Sequence, residues 1–218
     1  MKKYLFILIL TLSIASLKAQ KNGYFTFTVY GEPQITWLMP DSKDVESAGS
    51  SFGFNGGLNF DKFFAEKYAF TTGISINKIS GRLKYNSTKQ INGKDSLYTL
   101  SNGQKANYNL QYIEVPIGLK FKTIEIGYSQ FYAHLGLDAG INIKANADLP
   151  GINDVNVSEE INLFNLAYFI GGGIEYSIGG GTAIVGGITY KNGFVDVISD
   201  NSNKVTSGII SFRLGILF

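Results

Sequence analysis

The chain has 218 residues, with 26 Gly, 16 Phe, 13 Tyr, four Pro and no Cys. The absence of Cys excludes disulfides, thiolate metal sites and a lipid anchor on an N-terminal Cys. The formal charge is +2, and no basic stripe is present that would serve a nucleic acid.

Lys2 and Lys3 precede an uncharged run from Tyr4 to Leu12, followed by small residues and Ala19-Gln20. A basic start, a short apolar centre and a small residue at the exit predict a secretory signal peptide over residues 1–20. The apolar run is shorter than the roughly 20 residues a transmembrane helix needs. Beyond it no window of 18 apolar residues occurs, which excludes transmembrane helices. Residues 1–20 contain three of the 19 basic residues and none of the 17 acids, so residues 21–218 carry −1. These 198 residues are expected to form one domain.

Eight segments alternate with a period of two. The first lies near Tyr24 to Leu38, with Phe25, Phe27, Val29, Ile35 and Trp37 opposite Thr26, Thr28, Glu32, Gln34 and Thr36. The second lies near Ser51 to Phe60 and the third near Tyr68 to Tyr85. The fourth, near Tyr108 to Lys122, sets Ile113, Val115, Ile117, Leu119 and Phe121 against Tyr112, Glu114, Gly118, Lys120 and Lys122. The fifth runs near Gln130 to Ala145. Its polar face carries Tyr132, His134, Asp138, Asn142 and Lys144. The sixth lies near Asn162 to Ile178 and the seventh near Thr182 to Val197. In the eighth, at the C-terminus, Ile210, Phe212, Leu214, Ile216 and Phe218 oppose Ser211 and Arg213.

A strand needs about 9–11 residues to cross a membrane at a tilt, whereas strands of soluble domains have about 5–6. Several of these segments exceed the longer figure. The links alternate in length as well. Met39–Ser50, Asn86–Asn107, Asn146–Ile161 and Asn192–Lys204 read as long and polar. Asp61–Lys67, Thr123–Ser129 and Gly179–Gly181 read as short. This predicts an all-β, eight-stranded antiparallel up-and-down transmembrane barrel in the outer membrane, both termini periplasmic. A soluble lipocalin-like barrel would alternate too, with its apolar face inward. Two features favour the membrane. Aromatics such as Trp37, Tyr68, Phe121, Phe131, Tyr176, Tyr190 and Phe218 lie near segment ends, as interfacial girdles do. The polar face is also rich in Gly, which suits a narrow, crowded lumen.

The segment Gln111-Tyr112-Ile113-Glu114-Val115-Pro116-Ile117-Gly118-Leu119-Lys120-Phe121 resembles a motif of the PorT-type outer-membrane β-barrel family of Bacteroidetes. Ala19-Gln20 and the Gly171–Tyr176 strand are similar to forms common in that phylum. The resemblance implies an eight-stranded outer-membrane barrel. It does not imply one activity, since some relatives assist type IX secretion.

The polar faces bring Glu114, Lys120, His134, Asp138, Lys144, Glu175 and Arg213 toward the lumen. An eight-stranded barrel has an interior just wide enough for side chains, so these charges are expected to pair as a structural plug. Glu175 and Glu114 are the expected partners of Arg213, with Asp138 behind them. Pro116 removes a ladder donor and is expected at a bulge or kink.

His134 is the only imidazole. Asp138 lies four residues along the same strand, about 13 Å away, so the two cannot form a dyad. No nucleophile motif accompanies them. A lipid-modifying outer-membrane enzyme, with His134 as its base and a Ser or acid from a neighbouring strand, is the least favoured alternative, and no catalytic residue, cofactor or metal site is expected. An open pore is not expected either, since water-filled channels need about 16–18 strands. Acidic residues in the links, among them Asp95, Asp148, Asp154, Glu159, Glu160, Asp196 and Asp200, read as solvated. The expected partners are outer-membrane lipid and, through the resemblance, secretion or envelope proteins. The chain is expected to be monomeric and to have a structural or binding role.

Overall fold

The computed structural model describes residues 23–94, 96–199 and 204–218. The segment 1–20, read from the sequence as a signal peptide, and Asp95 and Asp200 lie outside them. The strands are β1 (Phe25–Asp41), β2 (Val45–Ala65), β3 (Tyr68–Tyr85), β4 (Lys89–Asn92), β5 (Leu97–Leu100), β6 (Lys105–Lys122), β7 (Ser129–Leu149), β8 (Ile152–Asn156), β9 (Phe164–Gly179), β10 (Thr182–Gly193) and β11 (Lys204–Leu217).

Eight of them, in the order β6-β3-β2-β1-β11-β10-β9-β7, form an antiparallel ring that β6 and β7 close. Closure leaves no free edge, so every ladder is satisfied within the wall, as hydrocarbon requires. Phe27 and Phe218 exchange backbone hydrogen bonds at 3.0 and 2.8 Å where the first and last strands meet.

The strands run further than their alternation suggests. Met39–Ser50 is not a long link, because β1 reaches Asp41 and β2 starts at Val45. Asn86–Asn107 contains the β4–β5 hairpin. Asn146–Ile161 contains the end of β7, β8 and a single 3-10 turn at Ser158–Glu160. At the opposite end two-residue turns join β2 to β3 and β9 to β10, and six residues join β6 to β7. Gly179, Gly180 and Gly181 all have positive φ, of 92°, 64° and 81°, a conformation costly for any residue with a Cβ.

The wall has a sharp boundary, visible across β3, β6 and β7. Outward-facing residues pair in successive rows: Tyr68 with Phe121, Phe70 with Leu119, Thr72 with Ile117, Ile76 with Ile113. β7 extends them with Leu135, Leu137 and Ile141. The next outward row is Lys78, Gln111 and Lys144, and beyond it stand Arg82 and Asn107. Tyr68 to Ile76 covers about 26 Å of strand, or about 20 Å of height at the usual tilt.

The inside changes character at the same level. Below the boundary the inward residues are mostly polar, including Thr71, Ser75 and Asn77, with a small apolar cluster around Val185 and Leu217 at the turn end. Above it Ile79, Leu110 and Ala145 form one row, and Leu83, Ala106, Tyr108 and Ala147 follow. With Ile91, Leu100, Val157, Val197 and Ile198 they make an apolar core at the long-link end. The molecule is thus two stacked bodies: a membrane barrel with polar contents, and a cap built like a water-soluble barrel.

Aromatic pairs mark both edges of the apolar belt. Phe27 stacks on Phe218 with centroids 4.9 Å apart, and Tyr68 meets Phe121 edge-on at 5.7 Å. At the other edge Tyr168 packs against Tyr190 and Phe194 at 6.3 and 5.2 Å.

Candidate functional site

The lumen holds the densest cluster of ionisable groups in the described residues. Next to the turn end, Lys120 bridges Asp61 at 2.6 Å and Glu175 at 2.8 Å. Lys122 binds the other oxygen of Glu175 at 2.6 Å. The Thr71 hydroxyl donates to Asp61 at 2.5 Å. The Lys122 ammonium also sits 4.8 Å from the Phe63 ring centroid. Phe63 in turn stacks on Tyr24 at 4.2 Å, stoppering this end.

Deeper in the barrel, Arg213 Nε donates to Glu32 Oε1 at 2.6 Å, and its guanidinium lies 4.3 Å from the Tyr30 ring centroid. Glu32 also accepts from Asn55 at 3.1 Å. Lys191 binds Asp138 at 2.5 Å and Glu114 at 3.3 Å. Asn77 donates to Glu114 at 2.7 Å and accepts from Gln34 at 2.6 Å. All of these side chains are buried. A charge buried without a partner costs several kcal/mol, which is why acids and bases interleave here.

Six of the seven polar residues read from the sequence, Glu114, Lys120, His134, Asp138, Glu175 and Arg213, lie in this lumen. Lys144 does not. The β6–β7 register slips between Gln111 and Tyr112, which pair with Lys144 and Asn142 and leave Ile143 as an extra residue. One added residue reverses the facing of everything beyond it. Lys144 is therefore exposed on the outside, and Ala145 points in.

The partner of Arg213 differs too. It is Glu32 rather than Glu175, Glu114 or Asp138. Gly31 pairs with Leu214 and Gln34 with Ser211, so closure of the ring sets Glu32 beside Arg213. Glu175 is instead held by two lysines, and Glu114 and Asp138 share Lys191. Asp61, Lys122 and Lys191 complete the network. Alternation alone did not bring Asp61 in, because it stands where a turn was expected.

Pro116 sits in register opposite Asp138, not at a bulge. On its other side the β3 ladder passes from Thr72–Ile117 to Ser75–Glu114, skipping the Pro116 position, as its missing donor requires. Glu160, read as solvated, is buried. Its carboxylate accepts from Asn92 backbone and side chain at 2.8 and 2.6 Å, tying the β4–β5 hairpin to the cap.

Among the described residues His134 has one polar partner, the Thr189 hydroxyl at 3.0 Å, and it packs against Tyr132 and Phe169. The cavity beside it, bordered by Asp138, Thr189, Lys191 and Arg213, measures about 10 Å³. That is room for about one water and none for a substrate. Glycines make this crowding possible. A Cβ on Gly187 or Gly173 would run into the Tyr132 hydroxyl. Among the described residues no cluster of His, Asp and Glu could hold a metal ion.

The lumen is therefore filled, with charges below and an apolar core above. No curated protein matches the chain. Among solved structures, the chain is similar to the neisserial surface protein A, at 13% identity and a TM-score of 0.49, over 90% of this chain and 98% of that one. It is similar to OprG from Pseudomonas aeruginosa, at 12% identity and a TM-score of 0.45, over 91% and 97%. It is also similar to Ail, the attachment invasion locus protein of Yersinia pestis, at 15% identity and a TM-score of 0.37, over 88% and 98%. The family described as outer membrane protein beta-barrel domain matches residues 18–212. With an apolar belt around a closed ring of eight strands and that match over most of its length, the chain belongs to the outer membrane protein beta-barrel domain family.

Proposed function

We propose that this protein is a sealed outer-membrane barrel with a structural or binding role, which displays its cap outside the cell. In this reading residues 1–20 are a cleaved signal peptide, and both termini face the periplasm. The tight turns lie on the periplasmic side, and the longer connections form the external face, the usual asymmetry of such barrels. The observation that carries the reading is the double obstruction of the lumen. The Glu32–Arg213 and Lys191–Asp138 pairs fill the middle, and Leu83, Tyr108 and Leu110 close the far end.

Planar bilayers test it. The protein, inserted and shown to be folded by its altered migration on unboiled gels, should give no stable conductance steps. Regular ion-conducting steps would overturn the sealed-barrel assignment.

The PorT-type resemblance offers a secretion accessory as a second reading. The motif from Gln111 to Phe121 supports it weakly, because the barrel accounts for those residues. Tyr112, Glu114, Pro116 and Lys120 are buried in the lumen, and Ile113, Val115 and Ile117 face lipid. An accessory would have to use the cap or the periplasmic turns. Deletion followed by profiling of secreted cargo decides: retained cargo supports the accessory role, and unchanged secretion removes it.

A further inference from the structure

The bulge at Ile143 has a consequence outside the barrel. Without it Lys144 would point into the lumen, where the charges are already paired. With it, Lys144 joins Lys78 and Gln111 in one outward row, directly above the apolar row of Ile76, Ile113 and Ile141. Adjacent strands lie about 4.8 Å apart, so the two lysines flank Gln111 at a Cα separation of about 10 Å. Between them opens a hollow of about 230 Å³, bordered by Asn109, Gln111, Asn146 and Asp154.

Both lysines are exposed, and neither forms an ion pair with a described residue. The nearby carboxylates accept amide hydrogen bonds and keep their charge. Asp154 accepts from Asn146 Nδ2. Asp148 accepts from the Asp154 backbone N–H at 3.0 Å and from Asn107 and Asn109 at 3.1 and 3.2 Å. With Asp154 counted, the two ammonium groups leave the hollow a net charge of +1, and they stand with the Gln111 amide at the height where hydrocarbon gives way to headgroups.

We propose that Lys78, Gln111 and Lys144 bind the phosphate of a lipid headgroup in the leaflet around the cap, with its acyl chains against Ile76, Ile113 and Ile141. Two ammonium donors about 10 Å apart at Cα can converge on one phosphate, and charge-assisted bonds of this kind are the strong ones. The apolar row below supplies what a soluble anion would not use. A bulge that re-aims one side chain is also a known device at functional positions.

Native mass spectrometry of the folded, detergent-solubilised protein titrated with lipid A tests the assignment. Wild type should retain one lipid A. K78Q/K144Q should weaken retention by roughly tenfold or more, the factor that loss of one charge-assisted bond corresponds to. K78R/K144R should restore it, and K84Q, whose lysine pairs with Glu46 at the rim, should leave it unchanged. Equal retention by wild type and K78Q/K144Q would overturn the proposal, as would an equal loss in K84Q. Inorganic phosphate displacing lipid A at matched concentration would mean a soluble-anion site and overturn the lipid assignment. If K78Q/K144Q fails to fold, K144Q alone and the arginine variant decide the question by the same readout. None of these outcomes depends on conductance, so the sealed-barrel reading stands or falls separately.

Discussion

The span and the cap share strands, ladders and the period of two, yet they solve opposite problems. In the span, lipid solvates the outside, so Phe70, Ile117 and Leu137 can face outward at no cost. The inside must then be filled by whatever balances itself: Glu32 with Arg213, Lys191 with Asp138 and Glu114. In the cap, water surrounds the wall, and burial of Leu83, Tyr108, Ile91 and Val157 drives packing as in any soluble domain. On β3 the ladder with β6 crosses the switch without a change of register, while β2 slips against β3 between Ser50 and Phe54. Asn77 and Ile79 both point inward, and only the chemistry changes. On β7 it takes a bulge. The lesson is that alternation fixes which residues share a face, while the surrounding solvent fixes what that face contains.

Breaking the span should have the largest effect. Lys191→Met leaves Glu114 and Asp138 buried without their shared cation. Stripping a buried pair of one partner costs about 3–5 kcal/mol, and two carboxylates put this variant at the upper end. Urea unfolding in liposomes, followed by loss of altered gel migration, measures it. An unchanged midpoint would mean that water reaches these groups. Breaking the cap should cost somewhat less and act locally. Leu83→Ala should destabilise by about 2–4 kcal/mol through the cavity it leaves. Hydrogen exchange should then rise in the β4–β5 hairpin while the span stays protected. Exchange rising equally in both would show one cooperative unit.

The lipid face gives a smaller effect. Phe212→Ser removes an aromatic side chain from the belt, worth about 1.5–3 kcal/mol, and should lower insertion yield in refolding assays. Yield equal to wild type would place Phe212 off the lipid face. The smallest effect is pH-dependent and confined to the cap. The Asp154 backbone N–H, with Asn107 and Asn109, holds Asp148 below its ordinary 3.8. A lowered carboxyl contributes above that ordinary value, and its contribution is lost as pH falls through the lowered one. Proteolysis near β8 should thus increase below about pH 4 in wild type. Asp148→Asn should flatten that dependence, and an identical profile in the variant would remove Asp148 as its cause.

Much of this architecture was legible. The eight alternating segments, the tight Gly179–Gly181 turn and the outward set on β11 follow from residue spacing alone. Arg213 points inward as its neighbours Phe212 and Leu214 require. What was not legible depends on more than one strand. The Glu32–Arg213 pair joins residues 181 positions apart through ring closure, which alternation within a strand does not encode. Lys144 reads as a lumen residue because a bulge is a mismatch between two strands, invisible in either one. Asp61 stands where a turn signal was expected, yet β2 continues to Ala65. The cap is not legible in the sequence because its polar-out pattern and the span's apolar-out pattern are the same alternation with opposite meaning.

On β3 polarity inverts on both faces of the wall at one level, between Ile76 and Ile79. The chain has no Cys, so single cysteines at Ile76, Lys78, Ile79 and Arg82 can each carry a spin label. Relaxation by oxygen, which concentrates in lipid, and by a water-soluble nickel chelate can then be compared in liposomes. Oxygen-dominated relaxation is expected at 76, nickel-dominated relaxation at 78 and 82, and protection from both at 79. Oxygen-dominated relaxation continuing through 78 and 82 would place the cap inside the membrane and contradict this inversion.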